Sequence, residues 1–217
     1  MSQMQQITAQ GRQIEQDSFA IIDHEIERDH GGHSFSPEQW AVVRRAIHTS
    51  GDFEFAKLFH FSDGAVERGI EAIRNGAKII SDVNMIVTGL APRRMQPFGV
   101  EAHCLISDPE VIAEATEQGS TRAKVAMQYA ARLGWLDGGI IAIGNAPTAL
   151  YEAMSLCQQG KINPALIIGL PVGFVKADES KRDLMATQLP YIACDGRKGG
   201  SPLVVAALHA LMVEAAK

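Results

Sequence analysis

The twelve residues GIIAIGNAPTAL (139–150) run from an apolar segment straight into a helix start. Residues 139–144 contain three isoleucines without alternating polar positions, a pattern typical of a strand covered on both faces. Pro147 is suited to the first turn of a helix, where its missing N–H needs no partner. The stretch therefore predicts a parallel strand whose carboxyl end leads directly into a helix.

The same alternation extends on both sides. Four more apolar runs predict strands: AKIIS (77–81), AHCLIS (102–107), ALIIG (165–169) and YIAC (191–194). Helical patterns that begin with Ser, Asn or Asp and end with Gly lie at 36–51, 108–119, 120–134 and 145–160, and a further helical pattern opened by Ser201 lies at 201–217. We expect one α/β domain over residues 1–217, built on a doubly wound parallel sheet of about five strands with right-handed crossovers.

The charge and cysteine content of the chain disfavour several classes of binding partner and cross-link. The chain has 217 residues with 20 basic and 25 acidic side chains, a net charge of −5, which disfavours nucleic acid or an anionic membrane as a partner. Its N-terminal segment, MSQMQQITAQGRQIEQ, lacks an apolar core, and no run approaches a membrane-spanning length, so we expect a cytoplasmic protein. Three separated cysteines, Cys104, Cys157 and Cys194, do not form a disulfide framework, and we interpret Cys104 and Cys194 as core residues of strands.

Loops at the predicted carboxyl edge could hold an anion. After residue 144, Asn145 or Thr148 can cap the helix or reach a ligand, and free amides there favour a carboxylate or phosphate. After residue 194, DGRKGGSP places Arg197 and Lys198 beside two glycines before a predicted helix. That loop is a candidate anion site but not a Walker A motif, and a solvated glycine turn remains open. LPVGFV (170–175) fits a bent strand end, with Asp178 or Ser180 opening the next helix.

Basic residues recur in pairs that could gather at one cleft to bind a polycarboxylate, although several could lie on solvated faces. The pairs are Arg44–Arg45, Arg93–Arg94, Lys181–Arg182 and Arg197–Lys198. His48, at the end of the 36–51 helix and followed by Thr49, Ser50 and Asp52, is the best acid-base candidate among seven histidines, although the helix end alone could explain it.

Other reaction classes have little support. His24, His30 and His33 lie near acidic residues, but in what reads as a polar, glycine-containing loop without a ligand frame, so we expect no metal site. GxSxG, HExxH and a strand-linked GxGxxG are absent. The residues alone therefore indicate an α/β protein that binds an anionic small molecule.

Several segments together resemble the precorrin-8X methylmutase family. In order, they are DSFAII (17–22), RRAIHTSGDFEFA (44–56), SDVNMIVTGL (81–90), GSTRA (119–123), AIGNAPTAL (142–150), GLPVGFVKADESK (169–181) and GRKGGS (196–201). The resemblance runs from about residue 14 to the last helix, and the combination of GNAPTAL, PVGFV, ESK and GRKGGS is specific.

The resemblance implies a flavodoxin-like α/β/α fold, a homodimer with active sites near the subunit interface, and an isomerase that needs no cofactor. The reaction would move a methyl group from the alpha carbon of ring C to the neighbouring beta carbon, giving hydrogenobyrinate or cobyrinate in cobalamin biosynthesis. His48 matches the family's catalytic histidine, Ser18 its binding serine and Arg122 its binding arginine. The remaining predicted substrate-binding residues are Thr49, Asn145, Thr148, Lys198, Gly199, Gly200 and Ser201.

Departures from the family pattern are Lys176 and Asp178, where small residues are expected, and His209, where Asn is usual. They bear on substrate contacts rather than on the reaction class. HTSGDFE and GRKGGS look closer to the branch that acts on cobalt-containing substrate. Two rivals remain: a non-catalytic tetrapyrrole carrier on the same fold, and a phosphate-ester enzyme that uses the GRKGGS loop as its phosphate cradle.

Overall fold

The structure, a computed structural model, describes residues 8–217; residues 1–7 of the N-terminal segment discussed above lie outside this range. Its helices are α1 (Ala9–Asp29), α2 (Pro37–Ser50), α3 (Phe55–Leu58), α4 (Ala65–Arg74), α5 (Asn84–Gly89), α6 (Pro92–Met95), α7 (Pro109–Glu117), α8 (Arg122–Arg132), α9 (Pro147–Gln158), α10 (Ala177–Met185) and α11 (Ser201–Ala215), with a 3-10 turn at Gln96–Phe98. The strands are β1 (Phe59–Phe61), β2 (Ile79–Ser81), β3 (Ala102–Cys104), β4 (Ile140–Ile143), β5 (Leu166–Gly169) and β6 (Tyr191–Cys194).

The six strands form one sheet in the order β1-β6-β5-β4-β2-β3. The five predicted strands are parallel to one another, and among themselves they follow the 2-1-3-4-5 order of flavodoxin-like folds. The sequence did not predict β1, which adds an antiparallel edge strand against β6, with Phe59 opposite Cys194. The predicted α/β class is confirmed, with six strands rather than five.

Helices cover both faces of this sheet. On one face, alternate strand residues such as Ile79, Ile140 and Ile168 pack against helices that include α1, α2, α4 and α11. On the other, Ile80, Ile141 and Ile167 pack against side chains of α8, α9 and α10. Strands buried on both faces need apolar residues at successive positions, which explains the runs of isoleucine.

Local signals explain several helix ends. Ser36 caps α2 in a reciprocal capping box with Gln39, Pro37 is the first residue, and Gly51 ends the helix in the left-handed conformation, as predicted. Helix α10, by contrast, begins at Ala177 and not at Asp178 or Ser180. Its preceding residue, Lys176, is a non-glycine residue with a positive φ, 63°.

The N-terminal region differs most from expectation. Residues 9–29 form a long helix, so His24 lies within α1 rather than in a loop. Only Ile22 and Ile26 of this helix are buried, and a surface helix with so narrow an apolar face gives a weak periodic signal. Within residues 8–217, no helix combines the length and apolar character that crossing a bilayer requires.

Candidate functional site

His48 and Ser18 meet between the first two helices. His48 lies in the last turn of α2, exposed to solvent, and its Nδ1 is 2.9 Å from the Ser18 hydroxyl oxygen on α1. The edge of the imidazole also meets Phe19, with ring centroids 5.3 Å apart. The contact with Ser18 engages one ring nitrogen and leaves Nε2 available to a ligand.

Helix α1 is held against α2 by polar contacts. Asp23 accepts hydrogen bonds from Trp40 Nε1 at 2.8 Å and from Arg44 at 2.6 Å. Arg45 donates to Glu15 at 3.0 Å, and both arginines lie over the ring of Phe19. These contacts fix the register of the two helices and hence the Ser18–His48 pair. Sequence reasoning did not assign these roles, because the partners are 17 to 30 positions apart.

The histidines considered for metal binding have other contacts. His30 stacks on Phe53 with centroids 4.5 Å apart, and His33 stacks on Trp40 at 4.0 Å. Within residues 8–217, no group of three or more His, Cys, Asp or Glu side chains is placed to hold a metal ion. The three cysteines are free, Cys194 is buried in β6, and Cys104 ends β3 half-buried.

A cavity of about 300 Å³ lies beside His48, between the end of α2 and the start of α11. We call it the α2–α11 cleft; its lining residues are Arg45, Thr49, Met85, Gly89, Ser201, Pro202, Val205, Ala206 and His209. Two predicted binding residues therefore line the same cleft: Thr49, which follows His48 in the chain, and Ser201. The cleft combines an apolar wall with hydroxyl and basic groups, as small-molecule sites usually do.

The amides at the start of α9 already have an anionic partner. The buried Asp82 carboxylate, just after β2, accepts hydrogen bonds from the backbone N–H groups of Gly144, Asn145 and Ala146 at 3.0, 2.8 and 2.6 Å. The expectation that these amides are free for a ligand is thus wrong, and neither Asn145 nor Thr148 caps α9. Both predicted side chains remain exposed at this edge of the sheet.

The GRKGGS loop packs tightly onto its neighbours. Gly200 N–H donates to the carbonyl of Leu170 at 2.7 Å, and a Cβ on Gly199 would lie 2.3 Å from the same oxygen. Beneath the loop, the fully buried Lys181 donates to the carbonyl of Lys198 at 2.5 Å. The glycines therefore serve close backbone packing in this structure, whatever else they bind.

The Lys198 ammonium is paired within the chain. It bonds to Asp52, and to Glu54 at 2.5 Å. These two hydrogen bonds raise the pKa of Lys198. A substrate carboxylate would have to compete with both acids for this side chain.

Arg122 and Thr148 lie toward the opposite face of the sheet. Thr148 Oγ1 is 2.9 Å from Thr121 Oγ1, which caps α8, and Arg122, the first residue of that helix, donates to the carbonyl of Ile106 at 3.4 Å. Helix α8 packs on the face away from α2. In residues 8–217, no described contact joins Arg122 to Ser18 or His48. The structure thus separates the predicted site residues into two groups.

Three arginines surround His209 on α11. His209 Nε2 accepts a hydrogen bond from the Ala91 amide at 3.1 Å. Burial, together with the charges of Arg94, Arg45 and Arg93, lowers the pKa of His209 to about 3. Arg94 is 3% exposed, and burial lowers its pKa to about 10. Arg45, Arg93 and Arg94 belong to two separate basic pairs in the sequence, which did not show that their charges act on the same histidine.

Comparison with known proteins gives a consistent result. Residues 13–214 match the family model described as precorrin-8X methylmutase. A cobalt-precorrin-8 methylmutase of Leptospira interrogans is 46% identical over 99% of this chain and 98% of its own length, and one of Priestia megaterium is 44% identical over 95% and 89%. The crystal structure of a precorrin-8X methyl mutase from Thermus thermophilus is 51% identical, covers 95% of this chain and 97% of its own, and superposes with a TM-score of 0.88. The chain belongs to the precorrin-8X methylmutase family.

Proposed function

We propose that this protein moves the methyl group of ring C from its alpha carbon to the neighbouring beta carbon, converting precorrin-8X or cobalt-precorrin-8 to hydrogenobyrinate or cobyrinate in cobalamin biosynthesis. The observation that carries the proposal is the exposed His48, held by Ser18 beside the α2–α11 cleft, in a chain of this family. We further propose that one domain over residues 1–217 acts in the cytoplasm without a cofactor of its own.

His48 would supply acid-base assistance. The migrating methyl leaves the alpha carbon and bonds to the beta carbon, so the overall formula is unchanged. In the metal-free substrate, a proton lent by His48 to the ring C nitrogen draws electron density through the conjugated ring and is returned afterwards. In the cobalt-containing substrate the lone pair of that nitrogen is bound to the metal, whose positive charge would draw the electron density in place of the proton. Such assistance typically contributes about 10²- to 10⁴-fold. With Nδ1 on Ser18, Nε2 is the nitrogen that would exchange this proton.

The remaining residues would hold the macrocycle. Thr49 and Ser201 lie in the cleft, and the Gly199–Gly200 backbone and Lys198 lie at the adjoining edge. Fixing a rigid polycarboxylate through several such contacts aligns the ring with His48 before reaction. Binding roles for Asn145 and Thr148 fit their exposure at the carboxyl edge of β4.

We also propose a homodimer with active sites near the subunit interface. Arg122 starts α8 on one side of the sheet, whereas His48 ends α2 on the other. A binding role for Arg122 at the same substrate is most simply met when two copies each contribute one of these side chains. Sedimentation velocity of the purified protein tests the proposed homodimer: a monomer at micromolar concentration contradicts it.

The cobalt-containing form is the preferred substrate in this proposal. The names of the relatives divide: those of Leptospira interrogans and Priestia megaterium, at 46% and 44% identity, are called cobalt-precorrin-8 methylmutase, whereas those of Thermus thermophilus and Pseudomonas aeruginosa, at 51% and 38%, are called precorrin-8X methylmutase. The preference therefore rests on the HTSGDFE and GRKGGS segments. Cobalt here is part of the substrate and not a resident metal.

The test is an absorbance time course with each substrate for the wild type, for His48→Ala and for His60→Ala, an exposed histidine on β1 that serves as the control. Wild type and His60→Ala should convert substrate to the corrin spectrum, and His48→Ala should bind it but lose at least about 100-fold in kcat. Binding without conversion by wild type contradicts the isomerase and indicates a carrier. Competition by phosphate or nucleotide without conversion indicates a phosphate-ester enzyme.

A further inference from the structure

A group of basic side chains, two of which have buried N–H groups with unmade hydrogen bonds, lies next to the α2–α11 cleft. We call Arg45, Arg93, Arg94 and His209 the basic cluster. Arg94, on the short helix α6, is 3% exposed, and its buried Nε and Nη1 atoms have no hydrogen-bond partner among residues 8–217. The Nε of Arg93 is buried and unpartnered as well.

Among residues 8–217, the acid that acts on Arg94 is shared with a second arginine of the cluster. The acid whose charge acts on Arg94 is Glu15, and that carboxylate is already bonded to Arg45 at 3.0 Å. Residues 1–7, MSQMQQI, contain neither Asp nor Glu. A buried guanidinium with unmade hydrogen bonds is costly, and proteins normally pair such a group.

The ring nitrogen of His209 that remains free to face a ligand is a donor, because its acceptor nitrogen is already used. Its Nε2 accepts the Ala91 N–H, so in the neutral ring the proton is on Nδ1. His209 and Arg45 both line the cleft, which also contains Thr49, the residue after His48. The charge of Arg94 acts on both of these lining residues, so Arg94 lies close to the cleft.

We infer that the basic cluster is a carboxylate-binding subsite in which Arg94 binds one peripheral carboxylate of the tetrapyrrole through paired N–H groups and so sets the position of the ring over His48. This inference rests on the proposed function. A planar guanidinium matches a carboxylate in two parallel hydrogen bonds, which gives orientation as well as affinity. Within residues 8–217 the guanidinium has unmade hydrogen bonds, and the ligand would supply the carboxylate that makes them.

The experiment compares binding of cobyrinic acid and of its heptamethyl ester, which lacks the negative charges, to wild type, Arg94→Met and Arg68→Met. Arg68 is an exposed arginine of α4 outside the cleft and controls for the loss of one positive charge. For the acid, Arg94→Met should raise Kd roughly 10- to 100-fold, the range of a charged hydrogen bond, and Arg68→Met should change it less than about twofold. For the ester, all three proteins should bind equally.

Thermal unfolding without ligand separates a binding role from a structural one. Because the Nε and Nη1 atoms of Arg94 have no partner in the described part of the chain, Arg94→Met should melt at or above the wild-type temperature. If Arg94→Met does not fold, Arg94→Gln is judged by the same criteria. Equal affinity of Arg94→Met and wild type for the acid overturns the inference, and so does an equal loss for acid and ester.

The result also distinguishes this inference from the proposed function. Turnover by wild type with unchanged acid binding in Arg94→Met removes the subsite and leaves the methylmutase. A wild type that neither converts substrate nor binds the acid removes both. Stabilisation of wild type but not Arg94→Met by millimolar inorganic phosphate, with corrin binding unaffected, assigns the cluster to a free phosphate and overturns the inference.

Discussion

The carboxylate of Asp82 lies 2.6 Å from the backbone nitrogen of Ala146, at the start of a helix that had seemed open to a ligand. Burial raises the pKa of Asp82, while hydrogen bonds from Gly144, Ala146 and Asn145 act in the opposite direction. The side chain thus joins the end of β2 to the loop after β4. The Asp82 carboxylate therefore fixes the conformation of the loop that contains Asn145.

Replacing Asp82 should test this internal anchor. Asp82→Asn turns one acceptor into an NH₂ group that faces backbone N–H donors, so we expect the free energy of unfolding to fall by about 2–3 kcal/mol. Asp108→Asn is the matched control, because that Asp caps α7 through one oxygen only, accepting from Glu110 N–H at 2.9 Å. Its cost should stay within about 0.5 kcal/mol. Urea unfolding of both variants measures the difference; equal losses contradict the anchor role.

Ser18 should act by positioning His48. Ser18→Ala removes the hydrogen bond to Nδ1 and should lower kcat roughly fivefold with little change in KM, since one neutral hydrogen bond is worth about 1 kcal/mol. Ser50→Ala, which removes a hydroxyl bonded to the Ala46 carbonyl on the same helix end, should leave kcat nearly unchanged. The pH profile of kcat should shift in Ser18→Ala and return in Ser18→Thr. A rise in KM alone would assign Ser18 to substrate binding instead.

The sequence predicted the sheet well because strands buried on both faces are marked by local composition. It missed β1 because three residues, Phe59–Phe61, are too few for a periodic signal and pair across 130 positions with β6. It placed Ser18 with His48 only through the family resemblance. Nothing local could show that Asp82 occupies the amides of residues 144–146, more than 60 positions away. Arg94 likewise reads as one half of an ordinary basic pair until its burial is known.

Gly199 should tolerate no side chain. A Cβ there would lie 2.3 Å from the Leu170 oxygen, so Gly199→Ala must displace the GRKGGS loop and should cost about 2–3 kcal/mol as well as most activity. Gly196→Ala is the control, because its left-handed backbone (φ 73°) faces open space and should cost about 1 kcal/mol. Thermal unfolding and kcat/KM give both readouts. Two variants of equal stability would mean that the loop moves freely.

Lys198 should contribute less to substrate affinity than its position suggests. Its ammonium is shared between Asp52 and Glu54, so a substrate carboxylate gains little by displacing them. We expect Lys198→Met to raise KM less than about threefold, a small effect typical of exposed ion pairs. The double replacement Asp52→Asn with Glu54→Gln should free the ammonium and lower KM in the wild-type background but not in Lys198→Met. A tenfold rise in KM for Lys198→Met would show direct binding.

His209 should make the stability of the fold depend on pH. Its pKa is lowered to about 3 in the folded protein from an ordinary 6.5, so the unfolded chain binds the proton more tightly. Stability is therefore complete above about pH 6.5 and is lost as the pH falls toward the folded pKa. At pH 4.5 the loss from this group is about 2–3 kcal/mol, and His209→Asn should remove it. Since burial is the largest cause of the lowered pKa and Arg94 the next, Arg94→Met should raise the pKa of His209 only in part. NMR titration of the His209 ring measures its pKa in wild type and in Arg94→Met. A wild-type ring that titrates near pH 6.5 contradicts the electrostatic arrangement of the basic cluster.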